Sequence, residues 1–295
     1  MDRLLDLSDQ LAAAAQRVGQ WVLAVHGRPR VPSTGIHWRS GLIVTANHTL
    51  QTDDDLSVTR PTGESSRVTV VGRDPGLDIA ILRGDDSAMA VAEVGDSDAV
   101  RVGHMVLALG AGPRASWGVI SAIGAASSRR ADGELFSLDL RLYPGFSGGP
   151  LVDARGSVVG VNTSGASRHL HLAIPANAVN RVVDAVVRHG RVPQAYLGVS
   201  TQQIRVPEGV GEQAGVGRSR AVIVVEVQSG SPAAAGLLVG DVILALDGIA
   251  IADPLDLRGA LRPERIGQPV TASVLRAGRV IEVSLTVGER PDRGR

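Results

Sequence analysis

The sequence predicts a mainly β protein built as two domains, and three observations carry that prediction. Short apolar runs with period-two alternation recur along most of the chain. The 36 glycines among 295 residues supply the turns that many short strands need. One amphipathic helical stretch, Ala176 to Gly190, is followed by Val192-Pro193 and then by a fresh β pattern, so a boundary is expected between Arg191 and Ala195. The expected units are a first domain over residues 1–192, a second over 193–290 and a tail over 291–295. Aromatic residues are 2% of the chain, so aliphatic side chains must build both cores.

Leu4 to Val18 carries apolar residues at helical spacing, with Ser8 and Asp9 able to cap a shorter helix. Trp21 to Val25 reads as the first strand and Arg39 to Ala46 as another, ending at Asn47-His48. Alternation returns in Leu56 to Thr59, Val68 to Val71 and Ile79 to Leu82, with Pro61-Thr62-Gly63 as a turn. Asp96 to Arg101 leads to a second set: Met105 to Leu109, Trp117 to Ile123, Leu135 to Asp139, and a hairpin from Leu151 to Val161 around Ala154-Arg155-Gly156. In the helix that follows, Val179, Val182, Val183, Val186 and Val187 share one face.

Thirty basic and thirty acidic residues cancel. The balance gives no electrostatic reason to expect nucleic acid or an anionic membrane as a partner. The absence of cysteine excludes disulfides and thiolate metal sites and leaves the redox compartment open. Asp2, Asp6, Asp9 and Arg17 interrupt the N-terminal apolar residues, which does not read as a signal peptide, and no apolar run approaches the roughly 20 residues of a membrane span. The expectation is a cytoplasmic protein without membrane insertion. The Asp53-Asp54-Asp55 run reads as a solvated loop.

The chemistry concentrates at Tyr143-Pro144-Gly145-Phe146-Ser147-Gly148-Gly149-Pro150, where a serine stands on backbone that must bend sharply. Gly145 to Gly149 satisfies G-x-S-x-G, the elbow of α/β-hydrolases, but that elbow needs a helix after the serine and a hairpin follows here. A serine hydroxyl needs a base, and the base needs a group to orient it. Thr45-Ala46-Asn47-His48 ends a strand and offers His48. Asp78, at the mouth of the apolar strand Ile79 to Leu82, offers a carboxylate that burial would oblige to find a partner. Asp74 fits the preceding Pro75-Gly76 turn instead.

The order His48, Asp78, Ser147, each in its own context, resembles the trypsin-like serine proteases. The Asp78-Ile79-Ala80-Ile81 wording, Asp139, Pro144-Gly145 before the serine, Gly148-Gly149-Pro150 after it and Ile174-Pro175 with Asn177 resemble the HtrA/Deg family. That resemblance implies a double six-stranded β-barrel protease domain, a His48–Asp78–Ser147 triad and an oxyanion hole from the Gly145 and Ser147 N–H groups. It also places a substrate pocket around Arg141, Leu142, Thr163, Ser164, Gly165 and Leu172. Arg141 either points away or favours an acidic substrate side chain. Phe146 departs from the family by replacing a small polar residue before the serine. His169 and His171 share a strand face without further metal ligands nearby, so no metal is expected.

Tyr196-Leu197-Gly198-Val199, Ser231-Pro232 and Gly240-Asp241-Val242-Ile243 with the Asp247-Gly248 turn resemble the PDZ domain attached to HtrA proteases. By that resemblance, residues Tyr196, Leu197, Gly198 and Val199 capture a peptide C-terminus and a helix near Pro254, over Asp256 to Leu261, walls the groove. The implied function is an ATP-independent serine endopeptidase for unfolded or damaged proteins, needing no metal or organic cofactor. The family assembles through its N-terminal segment, which implies a homotrimer. The alternative from another class is a non-catalytic, chaperone-like peptide-binding scaffold.

Overall fold

A computed structural model describes residues 2–29, 31–84, 89–112, 114–124, 135–165, 170–189, 193–206 and 220–291. The chain divides into two compact units, Met1–Val192 and Pro193–Arg295.

The first unit opens with α1 (Asp2–Gly19), which packs Leu11, Ala14, Ala15 and Val18 against the core. The strands β1 (Val22–His26), β2 (Ser33–Arg39), β3 (Leu42–Ala46), β4 (Ser57–Thr59), β5 (Ser65–Arg67), β6 (Thr69–Asp74) and β7 (Ile79–Arg83) form one sheet in the order β5-β4-β1-β2-β3-β7-β6. The strands β8 (Met105–Gly110), β9 (Arg114–Ile123), β10 (Phe136–Asp139), β11 (Pro150–Asp153), β12 (Val158–Thr163) and β13 (Leu172–Pro175) close a six-stranded barrel, and α2 (Ala176–His189) follows.

Two details of the sequence reading need correction. The first of the two expected six-stranded barrels is a seven-stranded sheet whose hydrogen-bonded path is not closed among the described residues. The run Arg39 to Ala46 is not one strand: β2 and β3 pair antiparallel across the Ser40-Gly41 turn, with Gly35 opposite Thr45. β5 escaped sequence reading because its three residues, Ser65, Ser66 and Arg67, carry no apolar alternation.

Successive strand residues point to opposite faces, so one strand can feed two cores. On β8, Val106 and Ala108 fill the barrel interior while Leu107 and Leu109 join the central core with Trp38, Ile79 and Val179. On β3, Ile43 faces the interior of the first sheet with Leu23 and Leu82, and Leu42 and Val44 face the central core. The Trp38 indole N–H donates to Asn180 Oδ1 at 2.9 Å, tying α2 to β2. Registration then positions the site: Ala46 pairs with Ile79, so the residues just beyond, Asn47-His48 on one strand and Asp78 on the other, emerge together.

The second unit contains β14 (Ala195–Tyr196), β15 (Val199–Arg205), β16 (Arg220–Val227), β17 (Val242–Leu246), β18 (Ile249–Ala250), α3 (Pro254–Ala260), β19 (Pro269–Arg276), β20 (Arg279–Thr286) and β21 (Gly288–Glu289). Its main sheet runs β15-β16-β17-β19-β20. Leu197, Val222, Ile243, Leu246, Leu257, Val274 and Leu285 make its core. Ser231-Pro232 opens a short 3-10 turn, Pro232–Ala235, rather than a longer helix. Asp247 and Gly248 both have positive φ, 47° and 77°, the backbone of a two-residue hairpin turn between β17 and β18.

Candidate active site

The carboxylate of Asp78 is held by three donors. The His48 backbone N–H donates to Oδ1 at 2.8 Å, the His48 ring donates from Nδ1 to Oδ2 at 2.7 Å, and Thr163 Oγ1 donates to Oδ2 at 2.5 Å. The Asp78 carbonyl also accepts from Asn47 N–H at 3.0 Å. Asp78 has φ of 61°, in the left-handed region that non-glycine residues enter sparingly. Such a conformation persists where its surroundings over-determine it, and these four bonds do so. In the neutral ring the Asp78 bond fixes the proton on Nδ1 and leaves Nε2 as an acceptor.

Ser147 stands in the loop between β10 and β11 and is 7% exposed. Its Oγ lies 2.9 Å from Ser164 Oγ and accepts from Ser164 N–H at 3.3 Å, while Ser164 Oγ lies 3.4 Å from His48 Nε2. No direct hydrogen bond joins Ser147 to His48; the Ser164 hydroxyl sits between them. The structure therefore brings His48 and Asp78 into contact and places Ser147 one hydroxyl away.

The loop around Ser147 uses its backbone donors selectively. Phe146 N–H donates to Tyr143 O at 3.0 Å, closing a turn in which Pro144 and Gly145 take the central positions and Gly145 has φ of 94°. Gly148 N–H donates to Asn162 O and Gly149 N–H to Phe146 O. Among the described residues, the N–H groups of Gly145 and Ser147 are left without an acceptor, and backbone donors in such a place call for a ligand or solvent.

Three residues that the sequence reading missed hold this loop. Thr34 Oγ1 donates to Gly145 O at 2.6 Å and accepts from Ala111 N–H at 2.8 Å, and Thr34 N–H donates to Ser147 O at 3.0 Å. Thr45 Oγ1 anchors the Thr34 carbonyl at 2.7 Å. Arg114, at the start of β9, donates from Nε to Ala111 O at 3.0 Å and from Nη1 to Pro144 O at 3.1 Å, with its guanidinium carbon 5.7 Å from the centre of the Phe146 ring. Phe146 is 1% exposed and packs in the barrel core, so the ring is an anchor under the loop and not an intrusion above it.

Several residues assigned to the substrate pocket have other surroundings. Thr163, 1% exposed, spends its hydroxyl on Asp78. Gly165 backs the His48–Asp78 pair so closely that a Cβ there would come within 2.6 Å of Asp78 Oδ2 and 2.7 Å of His48 Nδ1. Leu172 is 2% exposed and belongs to the central core, because strand alternation puts it on the same buried face as Ile174. Arg141 is exposed and lies over the Tyr143 ring, 5.3 Å from its centre. Leu142 is half-buried, and its N–H donates to His171 Nδ1 at 3.4 Å. His169 lies outside the described residues. Among those described, no group of three or more potential ligands is placed to hold a metal ion, and no helix is long and apolar enough to cross a membrane.

In the second unit, β14 carries Tyr196 opposite Gly288, and the Tyr196 hydroxyl donates to Gln228 Oε1. Leu197 is buried and its carbonyl accepts from Ala233 N–H at 2.8 Å. The Gly198 carbonyl accepts from Gln228 N–H at 2.8 Å. Val199 begins β15, which pairs with β16 on one side only among the described residues. Gln203 Nε2 donates to Ala252 O, just before α3, at 3.0 Å.

Comparison with known proteins gives a consistent picture. The trypsin-like peptidase domain model matches residues 33–161, and the PDZ domain model matches residues 195–287. A probable periplasmic serine endoprotease DegP-like of Rhizobium meliloti (strain 1021) is 33% identical over 276 residues, covering 90% of this chain and 54% of the relative. One of Chlamydia pneumoniae with the same description is 35% identical over 262 residues, covering 85% of this chain and 53% of the relative. The chain thus spans about half the length of the curated relatives it matches. The solved HtrA-type protease AlgW with tripeptide superposes with a TM-score of 0.69 at 30% identity, covering 95% of this chain and 97% of that one. The same protease with decapeptide gives 0.70 at 28%, covering 95% and 99%. The relatives' names overturn the expected cytoplasmic location, since they describe probable periplasmic endoproteases. The composition of folded domains does not report the compartment, and the inference from the N-terminal residues fails.

Proposed function

The chain belongs to the HtrA/Deg family of trypsin-like serine proteases with a PDZ domain, and on that premise we propose that it is an ATP-independent serine endopeptidase acting on unfolded or damaged proteins. The observation that carries the reading is the 2.7 Å bond from His48 Nδ1 to Asp78 Oδ2, which leaves Nε2 as an acceptor beside the Ser164 hydroxyl, itself hydrogen-bonded to the Ser147 hydroxyl. In this reading residues 1–192 form the protease and 193–290 the PDZ domain.

His48 Nε2 takes the Ser147 proton as the Ser147 oxygen bonds to the peptide carbonyl carbon. The charge that develops on the carbonyl oxygen is met by the two unpaired N–H groups of Gly145 and Ser147. His48 then returns the proton to the leaving amine, and water hydrolyses the acyl-enzyme by the same route. Asp78 keeps the imidazole in the productive tautomer and stabilises it when it is protonated. In the PDZ domain, a substrate C-terminus adds as a strand along the open edge of β15, its carboxylate meeting the loop Tyr196 to Val199.

Casein digestion tests the assignment. Wild-type protein is expected to degrade casein without ATP, and Ser147→Ala to lose that activity; equal digestion by both overturns the choice of nucleophile. The family resemblance also supports a homotrimer, which sedimentation would show as a species of three times the chain mass.

A further inference from the structure

Among the described residues, Ser164 is the one side chain hydrogen-bonded to both the hydroxyl of Ser147 and the ring of His48, and nothing in the proposed chemistry uses it. Its position decides where the Ser147 proton points. With Nδ1–H given to Asp78, His48 Nε2 can only accept in the neutral ring, and the hydroxyl next to it belongs to Ser164, at 3.4 Å. The Ser147 hydroxyl is bonded to Ser164 at 2.9 Å, and the Ser164 N–H adds a second hold on the same oxygen at 3.3 Å. This pair of bonds keeps the nucleophile off its base and engages a lone pair needed for attack.

We propose that the Ser164 hydroxyl is a latch on the nucleophile, released when bound substrate turns it away from Ser147. The inference rests on the reading of Ser147 as nucleophile and deepens it. The surroundings suit a release: Ser164 is exposed, so its hydroxyl can exchange Ser147 for water by rotating about one bond, whereas Ser147 is 7% exposed and has few alternatives. An extended peptide reaching Ser147 has to pass the exposed hydroxyl beside it. Once Ser164 has turned, the Ser147 proton passes directly to His48 Nε2 as the oxygen forms its bond to carbon. The neighbours of Ser164 stay in place through the change, because Thr163 is bonded to Asp78 and Gly165 is packed on the His48–Asp78 pair.

The test is the rate at which diisopropyl fluorophosphate labels the full-length protein, read by mass spectrometry. In that reaction the Ser147 oxygen bonds to phosphorus, fluoride leaves and His48 takes the proton. No extended peptide is present to open the latch. Removing a competing hydrogen bond of ordinary strength is expected to speed labelling about fivefold, in both Ser164→Ala and Ser164→Gly. A gain in rate is a result that damage to the fold would not produce. Wild-type labelling that vanishes in Ser147→Ala, with both Ser164 variants at or below the wild-type rate, overturns the latch and leaves the protease reading standing. Absence of any Ser147-dependent labelling in all four proteins overturns the nucleophile assignment, and the latch with it.

Discussion

The two halves of the site are held in different ways. On the first sheet, His48 and Asp78 hold each other: two of the three bonds to the carboxylate come from His48 itself, and Gly165 is packed against both. On the barrel, the serine loop is held from outside by Thr34, Arg114 and Ser164, which belong to distant parts of the chain. His48 is thus set by bonds within its own pair, and Ser147 by partners that can be exchanged. Changes at the first half should therefore act like removal of a part, and changes at the second like a shift in a population of loop states.

The largest effect is expected from Asp78→Asn. An amide at this position favours the wrong imidazole tautomer, and kcat should fall about 10⁴-fold while KM for a short peptide stays close to wild type. Gly165→Ala follows. Its methyl would meet the His48–Asp78 pair at 2.6–2.7 Å and displace one member. Misplacement of a catalytic group by about 1 Å costs on the order of 10²-fold in rate, measurable as kcat under saturating peptide. A loss of less than a few fold in Gly165→Ala would show that the first half is as adaptable as the second and would erase the contrast.

Arg114→Ala probes the serine loop and is expected to lower kcat/KM about tenfold, the scale of one charge-assisted hydrogen bond. The mechanism is specific. In a trans peptide the C=O and N–H point in opposite directions, so a guanidinium bonded to the Pro144 carbonyl fixes where the Gly145 N–H points. Arg114→Lys should fail to restore the rate, because one ammonium cannot reproduce a fork that binds Ala111 O and Pro144 O while lying over Phe146. Saturating peptide should restore part of the loss if bound substrate selects the same loop state, which separates a population shift from a missing part.

The contrast also explains what could be read from the sequence. The fold class was legible because alternation and glycine turns are local, and His48, Asp78 and Ser147 stand out as candidates because each has a signature within a few residues. Thr34 and Gly145 are 111 positions apart, and nothing near either announces the bond between them. Arg114 is no more conspicuous, one arginine among thirty basic residues. The segment Thr163 to Gly165 was placed near the serine by resemblance, but its assignment as pocket wall missed that Thr163 serves Asp78 and Ser164 faces Ser147. Leu172 was misplaced because a leucine at a strand start reads the same whether it lines a pocket or fills a core. The exposed, polar β5 had no pattern to find, and the Ser40-Gly41 turn was hidden within a run that looked continuous.

The smallest effect concerns stability, and it asks whether anchoring by several donors is peculiar to the site. In the second unit Asp241, 2% exposed, accepts from Arg276 Nε at 2.8 Å, Arg276 Nη2 at 2.7 Å and Leu238 N–H at 2.8 Å. Burial pushes its carboxyl pKa up, but the Arg276 hydrogen bonds, the Leu238 donor and the Arg276 charge together hold it below the ordinary value. A carboxylate with a depressed folded pKa contributes stability that is fully present above its unfolded value, about 3.9, and is lost as pH falls through the folded value. Hydrogen exchange on β17 and β19, in full-length Ser147→Ala protein to prevent self-digestion, should therefore accelerate as pH falls below about 4, after correction for the intrinsic pH dependence of exchange. Asp241→Asn should flatten that acid response while weakening protection at neutral pH, since Arg276 loses its charged partner. An unchanged acid response in Asp241→Asn would mean that another carboxylate sets it, and that dense anchoring of Asp241 does not couple to unfolding.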